Sequence, residues 1–491
     1  MRHKPRVAND LRQQQAVTQL LQQGRQEEAW RKIRAHLTLA PYDGWFLHEA
    51  ARLARRNGDL DTAQRYYQRA LKLAPKDAGL LNGLGLTHYD AGCWSEAEAC
   101  YQSALQSHMG YAACHNNYAI LLHKQQRYHL ALDQYRLALQ SQPDYTEARY
   151  GISTLLAHMG QLQEAESQMQ QVLQVRDADQ RCRNSLGMVQ LQQGNFAAGW
   201  SNYQARYASD NPDRFFTLPK LPIRYWQGED LRGKTLLVRT EQGMGDEIQF
   251  CRYLTRVKTE KHAIKVIMLG NKSLKSLMVT LPHLDNYLTR EDVQHTLPPA
   301  DYWCSLLDLP QHFLNSTQPF SAHHPYLFSS AEQQARWPIE GNGKKIGIVW
   351  KGSSGHKNDS QRSLAHLSQF APLFDLPDIN WISLQKGAGE EEIADYPRIQ
   401  PLGAQFTDYQ DTAAVISQLD LVIGVDTSVI HLAGAMGIPC WVLLPAWARD
   451  WRWLENRDES PWYPQMRLFG RGQDEEWSTV ITRIKQALQQ Q

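Results

Sequence analysis

A period of 34 residues runs through the first two fifths of the chain and leaves few folds open to it. Gly24, Gly58, Gly92, Gly160 and Gly194 fall on the period, and Gln126 stands at the one position without glycine. Five residues after each comes a small residue, Ala29, Ala63, Ala97, Ala131, Ala165 and finally Gly199, which lets two helices cross closely. Four further on, Tyr67, Tyr101, Tyr135 and Tyr203 recur, with Ile33 and Met169 in the same slot, and Pro41, Pro75 and Pro143 close three of the units. The pattern predicts six helix pairs. One pair cannot bury its apolar face alone, so the copies must stack into a right-handed solenoid with a concave groove. Grooves of this kind take an extended peptide or a partner's helix; the alternative is a solenoid that only dimerises or supports the rest of the chain. Gly199 and Arg206 depart from the pattern in the sixth copy, as expected of a terminal unit that packs on something else.

The repeats leave more than half of the 491 residues unexplained, and length alone suggests roughly three globular units. With 42% hydrophobic residues there is enough apolar surface for more than one core, which excludes global disorder. Lys and Arg number 52 against 51 Asp and Glu, so no net field favours nucleic acid or an anionic membrane. The N-terminus has no apolar h-region of a signal peptide. The longest apolar stretch, 432–448, is interrupted by Pro439 and Pro445 and is too short for a bilayer. The expectation is a soluble, cytoplasmic protein without membrane insertion. Seven irregularly spaced cysteines do not form a disulfide framework. Cys93, Cys100, Cys114 and His115 read as small core residues of the repeats rather than as a metal site.

Asn211, Pro212, Leu218, Pro219 and Pro222 mark a linker over 211–233 after a repeat domain over 1–210. From Lys234 short apolar runs alternate with helical patterns, the signature of a parallel α/β sheet. Strands are expected at 235–240, 264–269, 346–350, 381–384, 421–425 and 440–444, with a restart after Pro338. Two nucleotide-fold lobes in tandem, 234–340 and 341–491, would then face each other across a cleft. Such sheets bind ligands at the carboxyl ends of their strands, in the loops after Thr240, Trp350, Leu384 and Val425. No Walker loop is present, and the turn Gln242-Gly243-Met244-Gly245 is not a dinucleotide fingerprint. Asp-x-Asp occurs only at Asp59 to Asp61 and Asp177 to Asp179, inside the repeats, which disfavours a manganese-dependent transferase. Without metal, a diphosphate needs a helix N-terminus and basic side chains. Asp426, Thr427 and Ser428 open such a helix, His431 lies one turn in, and Lys357 and Arg362 are the nearest candidate cations. Ordinary N-capping would explain the same residue types.

Thr240 to Asp246, the segment Gly347 to Trp350 with His356 to Asp359, and Val425 to Ser428 with His431 to Gly434 give the chain a family likeness. The N-terminal period resembles the tetratricopeptide repeat. Together the two parts resemble bacterial tetratricopeptide-repeat glycosyltransferases, related to the ADP-heptosyltransferase superfamily (glycosyltransferase family nine) of GT-B fold. The segments Trp451-Arg452-Trp453 and Ser460 to Pro464 belong to the likeness, and O-linked N-acetylglucosamine transferases share its plan. The resemblance implies an inverting, metal-independent transfer from a nucleotide sugar, with no further cofactor. It makes Asp246 the general base and Lys357 a phosphate contact, and Asp426, Thr427 and Ser428 the loop that holds donor sugar and diphosphate. Gln242, Gly243, Gly245, Arg362 and His431 join that donor set, and Gln385 and Lys386 are candidate contacts to base or ribose. Ser428 stands where heptosyltransferases usually have glycine, and Glu247 adds a second carboxylate, so the donor sugar stays open. A helix-end position should lower the pKa of Asp246 and weaken it as a base, which keeps Glu247 and Glu241 as alternatives and leaves Asp246 the option of merely capping its helix.

Trp447, Trp451, Trp453, Trp462 and Tyr463 either fill a core or stack on sugar. By analogy the acceptor is a protein of flagellin or adhesin type, recruited by the repeats. A lipid-linked or polysaccharide acceptor, a non-catalytic adaptor with a degenerate GT-B half, a GT-B epimerase and a homo-oligomeric assembly are the competing possibilities.

Overall fold

The structure, a computed structural model, describes residues 4–490 except 215, 295, 315–323 and 357. It divides into two compact units, one of residues 1–156 and 167–177, the other of residues 157–166 and 178–491.

Twelve helices form the six expected pairs: Lys4–Gln22 with Gln26–Leu39, Gly44–Arg56 with Leu60–Leu73, Ala78–Asp90 with Trp94–Ser107, Ala112–Lys124 with Tyr128–Ser141, Thr146–His158 with Leu162–Val175, and Gln180–Gln192 with Phe196–Tyr203. The periodic glycines sit between the helices of each pair with φ of +74° to +84°, left-handed backbone that costs other residues about 1 kcal/mol or more. Gln126 adopts the same conformation, with φ +64°, so the turn geometry is kept without the residue that suits it. Ala29, Ala63, Ala97, Ala131 and Ala165 are fully buried, and Tyr67, Tyr101 and Tyr135 are buried with them. The tyrosines use the space left by glycines: a Cβ on Gly83 would come within 2.5 Å of the Tyr67 ring, and one on Gly151 within 2.3 Å of Tyr135. The Asp-x-Asp pairs lie at helix starts, where Asp59 and Asp179 cap by accepting Thr62 N–H at 3.1 Å and Cys182 N–H at 2.9 Å. Both ring nitrogens of His115 are engaged, by Gln134 Oε1 at 2.7 Å and Met109 O at 2.8 Å, and Cys114 is buried with it, but Cys100 is only half-buried and Cys93, at a helix start, is exposed, which corrects the reading of all four as core residues.

The second unit holds two wholly parallel sheets. In the first, β1 (Arg224–Tyr225), β2 (Thr235–Arg239), β3 (Lys265–Leu269), β4 (Asn286–Leu288) and β5 (Tyr302–Ser305) lie in the order β1-β5-β2-β3-β4. In the second, β6 (Lys344–Val349), β7 (Ile379–Ser383), β8 (Ile399–Gln400), β9 (Leu421–Val425), β10 (Cys440–Leu444) and β11 (Met466–Gly470) lie in the order β11-β10-β9-β6-β7-β8. The expected strands are all present. Those not foreseen include β1, β4 and β8, which are only two or three residues long and too short to show a pattern. Strand order reverses between β2 and β5 in one sheet and between β6 and β9 in the other, and it is at such reversals, outside the carboxyl ends, that open parallel sheets bind their ligands.

The sixth helix pair, placed with the repeats by its spacing, is grouped with this second unit. The reason is aromatic. Trp200 packs edge-on against Trp451 at 5.5 Å and Phe250 at 6.3 Å, and Trp451 and Phe250 both meet Trp462. Trp451, Trp453, Trp462 and Tyr463 are therefore core residues, each at most 6% exposed. Among the described residues no helix is long and apolar enough to cross a membrane.

Candidate functional site

The β6/β9 reversal of the second sheet is where the chemistry-bearing residues gather. Val425 ends a strand buried along its whole length, and the chain turns at Asp426 into the helix Ser428–Ala435. Thr427 takes the N-cap position with extended backbone, yet its side chain makes no capping hydrogen bond. Its Oγ1 is buried and has no hydrogen-bond partner among the described residues. The Ser428 hydroxyl pairs with Tyr409 OH at 2.6 Å.

The helix Met244–Phe250 of the first lobe lies directly against this one, because Gly245 has no side chain: a Cβ there would stand 2.9 Å from His431 Cδ2. The packing brings Asp246 to Arg452, whose guanidinium pairs with it and holds both oxygens of Asp450 at 2.8 and 2.9 Å. Asp246 Oδ2 also accepts Gly243 N–H at 2.9 Å, so the capping role exists as well. Burial raises the Asp246 pKa and outweighs Arg452 and the capping N–H. The lowered pKa expected of a helix-end aspartate is thus corrected: removal from water dominates over the helix terminus.

Asp426 accepts Trp453 Nε1–H at 2.9 Å and faces His431 Nε2 at 3.7 Å. Burial, then the charge of Asp450, raises its pKa to about 6, while burial and Arg452 hold His431 down at about 3. His431 is therefore neutral at neutral pH, so its contact with Asp426 is no ion pair, and its Nδ1 lies 3.0 Å from Tyr463 OH. The Arg362 guanidinium, 3.4 Å from Asp359, lowers the pKa of both Asp426 and His431.

Of the expected residues the structure thus brings together Gly243, Gly245, Asp246, Arg362, Asp426, Thr427, Ser428 and His431. Lys357 lies outside the described residues. Gln385 is a correction: its Oε1 accepts Trp350 N–H and Lys351 N–H, both at 3.0 Å, and its Nε2 donates to Lys351 O and Ala388 O. Three of these four bonds hold the loop after β6 and the fourth closes the loop after β7, which leaves none for a ligand. Lys386 is exposed and donates to Ala404 O at 3.2 Å. Gln242 turns toward the sixth helix pair, donating to Tyr203 OH at 2.9 Å. The alternative carboxylates are both tied. Glu247 is held by the Tyr287 hydroxyl and Asn271 N–H, with burial raising its pKa to about 7, and Glu241 is paired with Arg206 at 3.0 Å.

Sequence reasoning assigned no role to Arg452 or Asp450. The one available signal was an arginine between two tryptophans, a charge that a core segment keeps only when it is paired.

Fold and site define a helical-repeat protein followed by an α/β unit of two parallel sheets. Family models of the tetratricopeptide repeat match residues 48–112, 85–146 and 122–189, and the N-terminal region is a tetratricopeptide-repeat region. Over 388 residues the chain is 28% identical to Protein FlbA of Caulobacter vibrioides, an alignment that takes in 70% of this chain and 62% of FlbA. The chain therefore spans less than two thirds of that relative's length. Among solved structures it is similar to a tetratricopeptide repeat protein from Parabacteroides merdae (17% identity, 41% of this chain and 80% of that one, TM-score 0.35). It is also similar to the type IV pilus biogenesis factor PilW (19% identity, 40% and 91%, TM-score 0.38).

Proposed function

We propose that the second unit is a GT-B glycosyltransferase, inverting and metal-independent, which moves a sugar from a nucleotide sugar to a polypeptide brought by the repeats. One observation carries this reading: the Thr427 hydroxyl, buried without a partner among the described residues, at the start of the helix that follows β9 at the β6/β9 reversal. A diphosphate supplies the acceptor oxygens that this hydroxyl and the free N–H groups of the first turn call for. Arg362, and Lys357 by its place in the sequence, supply positive charge. An acceptor hydroxyl oxygen then bonds to the anomeric carbon as the bond from that carbon to the diphosphate oxygen breaks, and Asp246 takes the hydroxyl proton. Burial makes its carboxylate a stronger base than a surface aspartate.

A thermal-shift screen of the full chain against nucleoside diphosphates and nucleotide sugars tests this, since a ligand of the folded state raises Tm by mass action. At least one should shift wild type, and Thr427→Val should lose most of that shift. No shift from any of them ends the reading.

A non-catalytic adaptor is favoured by a different observation, that both oxygens of Asp246 are already engaged, by Arg452 and by Gly243 N–H. Nucleotide binding without turnover in any acceptor assay would support the adaptor.

A further inference from the structure

The loop after β6 carries a histidine, His356, that the donor set leaves out. The loop is pinned on both sides of it. Gln385 accepts Trp350 N–H and Lys351 N–H at the start, and Asn358 Nδ2 donates to Ala448 O at 2.9 Å further on. Between them His356 N–H donates to Ser353 O at 2.9 Å, and His356 O accepts Asp359 N–H at 3.0 Å.

The imidazole is held as well. Asn358 N–H donates to His356 Nδ1 at 3.2 Å. A backbone N–H can only donate, so Nδ1 keeps its lone pair and the proton of the neutral ring sits on Nε2. Partial burial, then the charge of Arg362, holds the His356 pKa below the ordinary value, which keeps the ring neutral at pH 7. Nε2–H has no hydrogen-bond partner among the described residues, and the residue is exposed.

The ring stands at the candidate site. Arg362 exerts the strongest charge on it, followed by Asp450, Asp359 and Asp246. The three carboxylates are already paired, Asp246 and Asp450 with Arg452 and Asp359 with Arg362. What is left is one uncharged donor, carried by the second sheet, within the field of an arginine assigned above to the diphosphate. Asp246 reaches the same place from the first sheet. An inverting displacement uses such a division: the base takes the acceptor proton on one side of the anomeric carbon, and negative charge develops on the oxygen that leaves from the other. A fixed donor aimed at that oxygen stabilises the charge as it forms.

We propose that His356 Nε2–H donates a hydrogen bond to the terminal phosphate of the donor's diphosphate, at the oxygen that leaves the anomeric carbon. The carbon–oxygen bond breaks with its electron pair passing to oxygen, and the histidine proton stays on nitrogen. The assignment rests on the transferase reading and adds a leaving-group contact to it.

The test is isothermal titration of the full chain with UDP, GDP, CDP and ADP and with the matching nucleoside monophosphates. His356 is exposed, so its variants should fold. For the base that wild type binds, His356→Ala should weaken the diphosphate about tenfold, the low end for a hydrogen bond to a charged group, and leave the monophosphate within about twofold. His356→Gln, whose amide nitrogen reaches the place of Nε2, should restore diphosphate binding to within about threefold of wild type. His356→Asn, whose amide ends at the place of Nδ1, should not. Equal weakening of diphosphate and monophosphate, no weakening of either, or a glutamine variant as weak as the alanine one overturns the proposal and leaves the transferase reading standing. A wild type that binds none of the diphosphates overturns both.

Discussion

In the repeats Tyr67 meets Gly83 and Tyr135 meets Gly151, each pair sixteen residues apart in sequence. In the α/β unit Asp246 meets Arg452 across 206 residues. The first kind of contact recurs because the helix pair recurs, and each copy presents the same slots to its neighbour. The second has no counterpart elsewhere in the chain: it exists because Gly245 lets one lobe's helix settle on another's and because the aromatic core carries the Trp451 to Trp453 segment to the same place. Damage to a repeat should therefore stay local and graded, whereas damage to the candidate site should spread through a network of buried charges.

The sharpest way to break that contrast is Arg452→Met. It leaves Asp246 without its partner in the interior, while Asp450, 38% exposed, keeps part of its side chain in water, and denaturant unfolding should show a loss of about 3 kcal/mol, the low end for a broken buried pair. A loss below about 1 kcal/mol would make the site no more interdependent than a repeat.

Asp246→Asn comes next. Asparagine still caps a helix but lacks the basic oxygen, so on the transferase reading the variant should fold and bind nucleotide while turnover drops at least about a hundredfold. Turnover within a few fold of wild type would reject Asp246 as base.

Asp426 gives a pH-dependent effect. Its folded pKa of about 6 lies above the unfolded carboxylate value, so protonation favours the fold and ionisation costs stability as pH rises through 6. The advantage of Asp426→Asn over wild type should be absent below pH 4, grow between 4 and 6, and level off at no more than about 3 kcal/mol. Measuring the difference between the two proteins cancels the opposite trend from His431, whose depressed pKa costs stability as pH falls below its unfolded value.

The repeats supply two smaller effects of opposite sign. Gly151→Ala would gain up to about 1 kcal/mol from helix propensity alone, but its Cβ meets the Tyr135 ring, and a net loss of about 1–2 kcal/mol is expected. Gln126→Gly relieves a left-handed turn and should gain roughly 0.5–1 kcal/mol. If it destabilises, the turn is not what fixes the period.

The helices, their pairing and the position of each turn were legible in the chain because a repeat writes the same local requirement six times. Even Gln126, the one break in the glycine series, follows the geometry its neighbours set. The long buried strands β6, β9 and β10 could be read for a similar reason, since strands covered on both faces become continuous apolar runs. Asp426 to Ser428 stood out because such a strand ran straight into a helix start. The short edge strands and the saturation of Gln385 could not be read, and of the sixth helix pair the chain showed at Gly199 and Arg206 that it packs on something else but not on what. Each depends on a partner far away in sequence. The aspartate series shows the divide most clearly. Type and position marked Asp426 as a candidate and the family likeness marked Asp246, but their raised pKa values and the pairing of Asp246 with Arg452 arise from burial and from packing between lobes, which no spacing along the chain encodes.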